Sequence, residues 1–233
     1  MSQLQVIKDV GPKLIPFFKT VAIYFVVFIP QASPGYIAAV LKCLPIICLM
    51  IFVVWHGQQM EERFKSFWKK ILCGLFFSCI GDYCLIWPDY FILGMVAFAV
   101  GHVNYIMAFG FQPFNLPAGL CSYLVATIGC LYLLPGCTGI MLPGVPLYTL
   151  LLSTMMWRAI ARFPLKKNLW SWTRLFTAAG AVLFVISDLL IGLGMFKKLA
   201  IPHAQAAIMG TYYLAQLGIA LSVVDLNDNI KQE

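Results

Sequence analysis

Long runs of apolar residues alternate along the chain with short polar breaks, and each run is about as long as a membrane-crossing helix. A helix needs about 20 largely apolar residues to cross a bilayer. Eight stretches meet that requirement, at roughly 14–30, 36–55, 70–87, 91–110, 116–135, 143–162, 172–194 and 203–224. The breaks carry turn chemistry: Pro30 to Gly35, Trp87-Pro88-Asp89, Gln112-Pro113, Leu134-Pro135-Gly136 and Ile201-Pro202-His203. Several are so short that successive helices should run antiparallel, side by side. The pattern predicts an all-α integral membrane protein, with residues 1–233 forming a single domain of eight transmembrane helices.

Composition agrees. Of 233 residues, 61% are hydrophobic and 11% charged, and the mean hydropathy is +0.87. A soluble domain carries about 25% charged residues, so this chain has too little polar sequence to cover a water-facing globule. The first apolar run follows Lys8 and Lys13, as a secretory signal would, but Pro30 interrupts the only stretch resembling a cleavage site. It reads as a retained span, with Lys19 reaching back to the interface.

The net charge of +7 does not point to nucleic acid, because the basic residues lie in short loops between apolar runs. One side of the predicted membrane receives Lys8, Lys13, Arg63, Lys65, Lys69, Lys70, Arg162, Lys166, Lys167, Arg174 and Lys231; the other receives only Lys197 and Lys198. That asymmetry puts both termini in the cytoplasm. Trp55, Trp68, Trp87, Trp157, Trp170 and Trp172 all fall near predicted helix ends, as an interfacial aromatic belt requires. The eight cysteines lie almost wholly within apolar runs and form no CxxC pair, so buried free thiols are expected, with only Cys137, near a loop, accessible. No ligand cluster for a metal is visible, and no cofactor is implied.

Against this apolar background the buried polar residues stand out. Asp82 and Asp188 lie inside membrane-length stretches, each after a small residue, Gly81 and Ser187. A carboxylate at the centre of a bilayer helix costs roughly 2.5–3.5 kcal/mol on insertion scales, so it normally faces protein or a polar cavity. Helices 3–4 and 7–8 also look like a parallel internal repeat: Gly74 precedes Asp82 as Gly180 precedes Asp188, Ile80 aligns with Ile186, and Tyr105-Ile-Met-Ala matches Tyr212-Tyr-Leu-Ala after a one-residue shift. Counting from the helix ends places Lys42 in the same layer as the two acids. His102, Asn104 and Tyr105 lie deeper in helix 4, and Tyr212, Tyr213 and Gln216 at similar depth in helix 8.

Plainer readings exist for each. The aspartates could fix packing through interhelical hydrogen bonds. Lys42 could snorkel or neutralise one acid, His102 could be a satisfied core histidine, and the tyrosines could be packing residues. Arg158 reads as interfacial, and the run from Glu61 to Lys70 as a solvated loop. No phosphate-binding glycine loop, nucleophile elbow or zinc motif occurs. Ser187 beside Asp188 makes no triad, because adjacent helical residues point in different directions. Any chemistry therefore falls to the aspartates. Two carboxylates in one site do not both ionise easily, which leaves one protonated acid beside one carboxylate base.

The chain resembles the lysoplasmalogenase, or YhhN-like, family of membrane proteins, in its animal branch. The resemblance runs through Gly11-Pro-Lys-Leu-Ile-Pro-Phe-Phe-Lys19, Leu41-Lys-Cys-Leu-Pro45, Gly81-Asp82, Gly101-His102-Val-Asn-Tyr105, Ile186-Ser-Asp188 and Thr211-Tyr-Tyr-Leu-Ala-Gln216. It implies an eight-helix enzyme of the endoplasmic reticulum that hydrolyses the vinyl-ether bond of lysoplasmalogens to a fatty aldehyde and a glycerophospho-base. It also implies that Asp82 and Asp188 are the catalytic acids; the polar residues found at neighbouring depth, Lys42, His102, Asn104, Tyr105, Tyr212, Tyr213 and Gln216, are then expected to orient substrate or water. The alternative from another class is a proton-coupled transporter of small molecules or lipids using the same carboxylates. Headgroup preference and oligomeric state stay open at this level.

Overall fold

The computed structural model describes residues 3–28, 34–163 and 172–224. Among the described residues it contains eight α-helices and no strand: α1 Gln3–Ile23, α2 Tyr36–Gly57, α3 Lys65–Cys84, α4 Phe91–Phe109, α5 Leu116–Leu133, α6 Met141–Ala161, α7 Trp172–Lys197 and α8 Ala204–Ala220. Most boundaries lie within a few residues of the hydropathy pattern. The exceptions are α1 and α3, which begin upstream of their apolar runs. In α1 the extension is amphipathic: Val10, Leu14 and Phe17 form a buried stripe at helical spacing, and the helix packs against α2. A single π-helical turn, Tyr24–Phe28, follows it. Lys166, Lys167, Trp170 and Lys231, used above for orientation, lie outside the described residues.

Six of these helices are long and apolar enough to cross a membrane. The other two, α3 and α6, have 20 and 21 residues, about 30 Å at 1.5 Å per residue, but are less apolar. Helix α3 packs against α2, α4 and α8, and α6 against α4, α5 and α7; Ser78 and Asp82 of α3 and Ser153 and Arg158 of α6 are buried, whereas Lys69 at the start of α3 is exposed. The tightest helix pairs are α3 with α4 and α7 with α8. At Gly74 a Cβ would lie 2.2 Å from the Tyr105 ring, and at Gly180 2.8 Å from the Ala215 carbonyl oxygen. The two glycines aligned in sequence thus each sit at a close helix crossing.

Two expectations need correction. Arg158 is at the end of α6, yet it is 0% exposed and faces no headgroup layer. Its Nε donates to the Gly110 carbonyl at 2.5 Å and its Nη2 to the Pro113 carbonyl at 3.0 Å, with the Phe111 and Trp157 rings at 5.5 and 5.0 Å. Carbonyls of the α4–α5 loop and two aromatic faces have taken the place of water. Cys137, expected to be accessible, is buried, with its thiol on the Leu133 carbonyl. Glu61, Glu62 and Arg63 are exposed, as a solvated loop requires, but the rest of the run expected as loop, Lys65 to Lys70, forms the first turns of α3.

A cavity of about 170 Å³ occupies one end of the bundle. Its wall is built from the first halves of α2, α4, α6 and α8 and the last halves of α3, α5 and α7. In an antiparallel succession those segments share one end, opposite the basic α2–α3 loop.

Candidate active site

Both buried aspartates line this cavity, together with Lys42, Tyr148, Ser187 and Tyr212. The rest of the wall is mostly apolar, including Val125 and Leu133 of α5, Leu152 of α6 and Leu189 of α7. Val125 and Leu189 are also 59% and 38% exposed on the outside of the bundle.

Asp82 comes from α3, and its side chain is 2% exposed. Its Oδ1 lies 3.5 Å from Lys42 Nζ on α2, and its Oδ2 accepts a hydrogen bond from the Tyr212 hydroxyl of α8 at 2.5 Å. Lys42 does not snorkel; its side chain is 10% exposed, and it neutralises this acid. Two further contacts hold the partners. Gln216 Nε2 donates to the Tyr212 hydroxyl oxygen at 3.3 Å, and the Tyr105 hydroxyl donates to Gln216 Oε1 at 2.7 Å. Burying two charges in this way costs several kcal/mol per ion, and only good geometry and further hydrogen bonds offset it. Here those bonds are present.

Asp188 comes from α7, and its side chain is 17% exposed, more open than Asp82. Its Oδ2 accepts from the Tyr148 hydroxyl of α6 at 2.7 Å. His102 Nε2 is 3.1 Å from the same Tyr148 oxygen and 4.0 Å from Asp188 Oδ2. The imidazole packs against the Phe184 ring at 4.7 Å, and its Nδ1 has no hydrogen-bond partner. Ser187 turns away, donating to the Ile208 carbonyl, as neighbouring helical positions require.

Of the expected orienting residues, Lys42 and Tyr212 reach the cavity wall, whereas His102, Tyr105 and Gln216 stand behind it as hydrogen-bond partners. Tyr213 instead donates to the Lys42 main-chain carbonyl at 2.9 Å and meets Tyr24 edge to face, with ring centroids 5.4 Å apart. Asn104 caps a carbonyl of its own helix, Val100, at 2.9 Å, and is not among the residues at the cavity. Sequence reasoning missed Tyr148. A lone tyrosine in an apolar run carries little signal. One was available, however: Tyr148 follows Lys42 by 106 residues, the offset that separates Asp82 from Asp188 and Gly74 from Gly180. Among the described residues no three His, Cys, Asp or Glu side chains converge on one point.

The fold and the site together define a helical membrane protein in which two aspartates line a largely apolar chamber. The chain belongs to the YhhN family, whose model matches residues 37–223. It is 42% identical over 233 residues to lysoplasmalogenase TMEM86A of Bos taurus, covering 99% of this chain and 96% of that protein. The human protein of the same name is 40% identical over the same shares. Lysoplasmalogenase TMEM86B of Sus scrofa is 36% identical over 220 residues, 92% of this chain and 87% of that protein. No solved structure matches the chain.

Proposed function

We propose that this protein is a lysoplasmalogenase, hydrolysing the vinyl-ether bond of a lysoplasmalogen to a fatty aldehyde and a glycerophospho-base, with Asp82 and Asp188 as its catalytic pair. The observation that carries the reading is that both carboxyls open on one chamber whose other walls are apolar. The names of the full-length relatives support it, and they set the transporter alternative aside.

The chemistry suits such a site. A vinyl ether is cleaved by protonating the alkene carbon that is not bonded to oxygen, which leaves an oxocarbenium ion on the ether carbon. Water adds to that carbon, and the hemiacetal collapses to aldehyde and alcohol. One neutral carboxylic acid supplies the proton, and one carboxylate stabilises the cation. Lys42 and Tyr212 hold Asp82, and Tyr148 holds Asp188; His102, Tyr105 and Gln216 support those partners. The alkenyl chain lies along α5 and α7, and the headgroup faces the end of the bundle nearest the cavity.

In the membrane, all eight helices cross, with both termini on the cytoplasmic side, and α3–α4 and α7–α8 form a parallel repeat. Loop charge, the alternating direction of the helices and the paired glycines support this arrangement. The family resemblance points to the endoplasmic reticulum. Purified protein in detergent is expected to release aldehyde from lysoplasmenyl lipids but not at a comparable rate from plasmalogens acylated at sn-2, which lack the free hydroxyl and are bulkier. Equal turnover of both, or no aldehyde from folded protein, would contradict the proposal.

A further inference from the structure

We infer that the two acids have fixed, different roles, with Asp188 donating the proton and Asp82 remaining the anion, and that Tyr148 is the positioning residue that prepares Asp188. This rests on the vinyl-ether reading above and deepens it.

The argument starts from register. At the offset of 106 residues that relates the two aspartates, the counterpart of Lys42 is Tyr148. Each side chain comes from the helix preceding its acid's own helix, α2 before α3 and α6 before α7, and each lies beside that acid. The two half-sites are therefore built alike but charged differently. One acid faces an ammonium group, the other a neutral phenol. Among the described residues lining the cavity, Lys42 is the only cation, and it is on Asp82. A buried carboxylate with a cation keeps its charge; one with only a phenol and an imidazole is more easily carried as the neutral acid.

Hydrogen-bond bookkeeping then places the proton. His102 sits with Nε2 toward the Tyr148 oxygen and Nδ1 unpartnered. A buried N–H without an acceptor is rarer than a bare acceptor, which assigns the hydrogen to Nε2. With His102 donating to its oxygen, the Tyr148 hydroxyl must aim its own hydrogen at Asp188 Oδ2. That oxygen is occupied, so in the neutral acid the carboxyl hydrogen resides on Oδ1. Asp82, by contrast, has both oxygens engaged, one by Lys42 and one by Tyr212.

The step balances. The alkene π pair takes the Oδ1 proton to form the new C–H bond, leaving Asp188 as a carboxylate and the substrate as an oxocarbenium ion. Lys42 keeps Asp82 ionised throughout, so that carboxylate faces the oxocarbenium ion as it forms. The Tyr148 hydrogen bond strengthens as charge develops on Asp188, a gain realised mainly in the transition state. Water then attacks the cationic carbon and returns a proton to Asp188. Collapse of the hemiacetal transfers its hydroxyl proton to the departing glycerol oxygen.

The test is the pH profile of aldehyde release by purified Tyr148→Phe and Tyr212→Phe beside wild type. Hydrogen bonds to charged groups are strong enough that Tyr148→Phe is expected to lower kcat about 10–100-fold, with KM little changed. Without its donor, Asp188 holds its proton to higher pH, so the alkaline limb of kcat moves upward. In Tyr212→Phe the same change at Asp82 moves the acid limb upward instead. Wild-type kcat in Tyr148→Phe, or a shift of the acid limb rather than the alkaline one, overturns the assignment while the enzyme reading stands. Folded wild type that releases no aldehyde overturns both.

Discussion

Asp82 and Asp188 are the same residue on helices that pack alike, yet their surroundings differ in a way that matters for chemistry. Asp82 is closed off, paired with Lys42 and capped by Tyr212, with Gln216 and Tyr105 behind. Asp188 is more open and leans on one phenol, with an imidazole behind that. A pair of identical acids becomes useful for acid catalysis only when their environments separate them. Here a lysine at one position and a tyrosine at its counterpart supply the separation.

The largest expected effect comes from the acids themselves. Asp82→Asn and Asp188→Asn should each lower aldehyde release by about 10²–10⁴-fold, the usual range for a positioned acid or base. Thermal unfolding in detergent should separate them, because only Asp82→Asn leaves a buried lysine without its counter-ion. Equal unfolding temperatures would break the contrast drawn between the two sites. Next comes Lys42→Met, which strands the Asp82 charge and is expected to cost about 3–5 kcal/mol of stability. The double variant Lys42→Met with Asp82→Leu should recover most of that loss; failure to recover would mean that the pair is not the source. A smaller effect is expected from Tyr213→Phe. It removes one neutral hydrogen bond, to the Lys42 carbonyl, and should cost about 0.5–1.5 kcal/mol in the same unfolding measurement.

Much of this was legible in the sequence, because a bilayer imposes simple rules. Helix lengths follow from hydrophobic thickness, and breaks fall where proline and glycine punctuate apolar runs. Asp82, Asp188 and Lys42 stood out because charge inside such runs is expensive. The same reasoning failed where cost gives no signal. Tyr148 is cheap to bury and looks like packing, so only its register with Lys42 marked it. Arg158 was misread because charge near a helix end usually means the interface, whereas folding of the α4–α5 loop supplied carbonyl acceptors that no local pattern announced. Asn104 lies in the right stretch of α4, but its amide bonds to its own helix, a choice set by which way that position points.

Acid cleavage of a vinyl ether at this site needs both aspartates, one as the proton donor and one as the anion. Turnover of a lysoplasmenyl lipid in D₂O, with the aldehyde reduced at once and weighed by mass spectrometry, tests it most directly. The account predicts one deuterium on the carbon next to the former aldehyde carbon from wild type, and turnover reduced at least 100-fold in Asp82→Asn and in Asp188→Asn. Unlabelled product, or undiminished turnover in either variant, would contradict it.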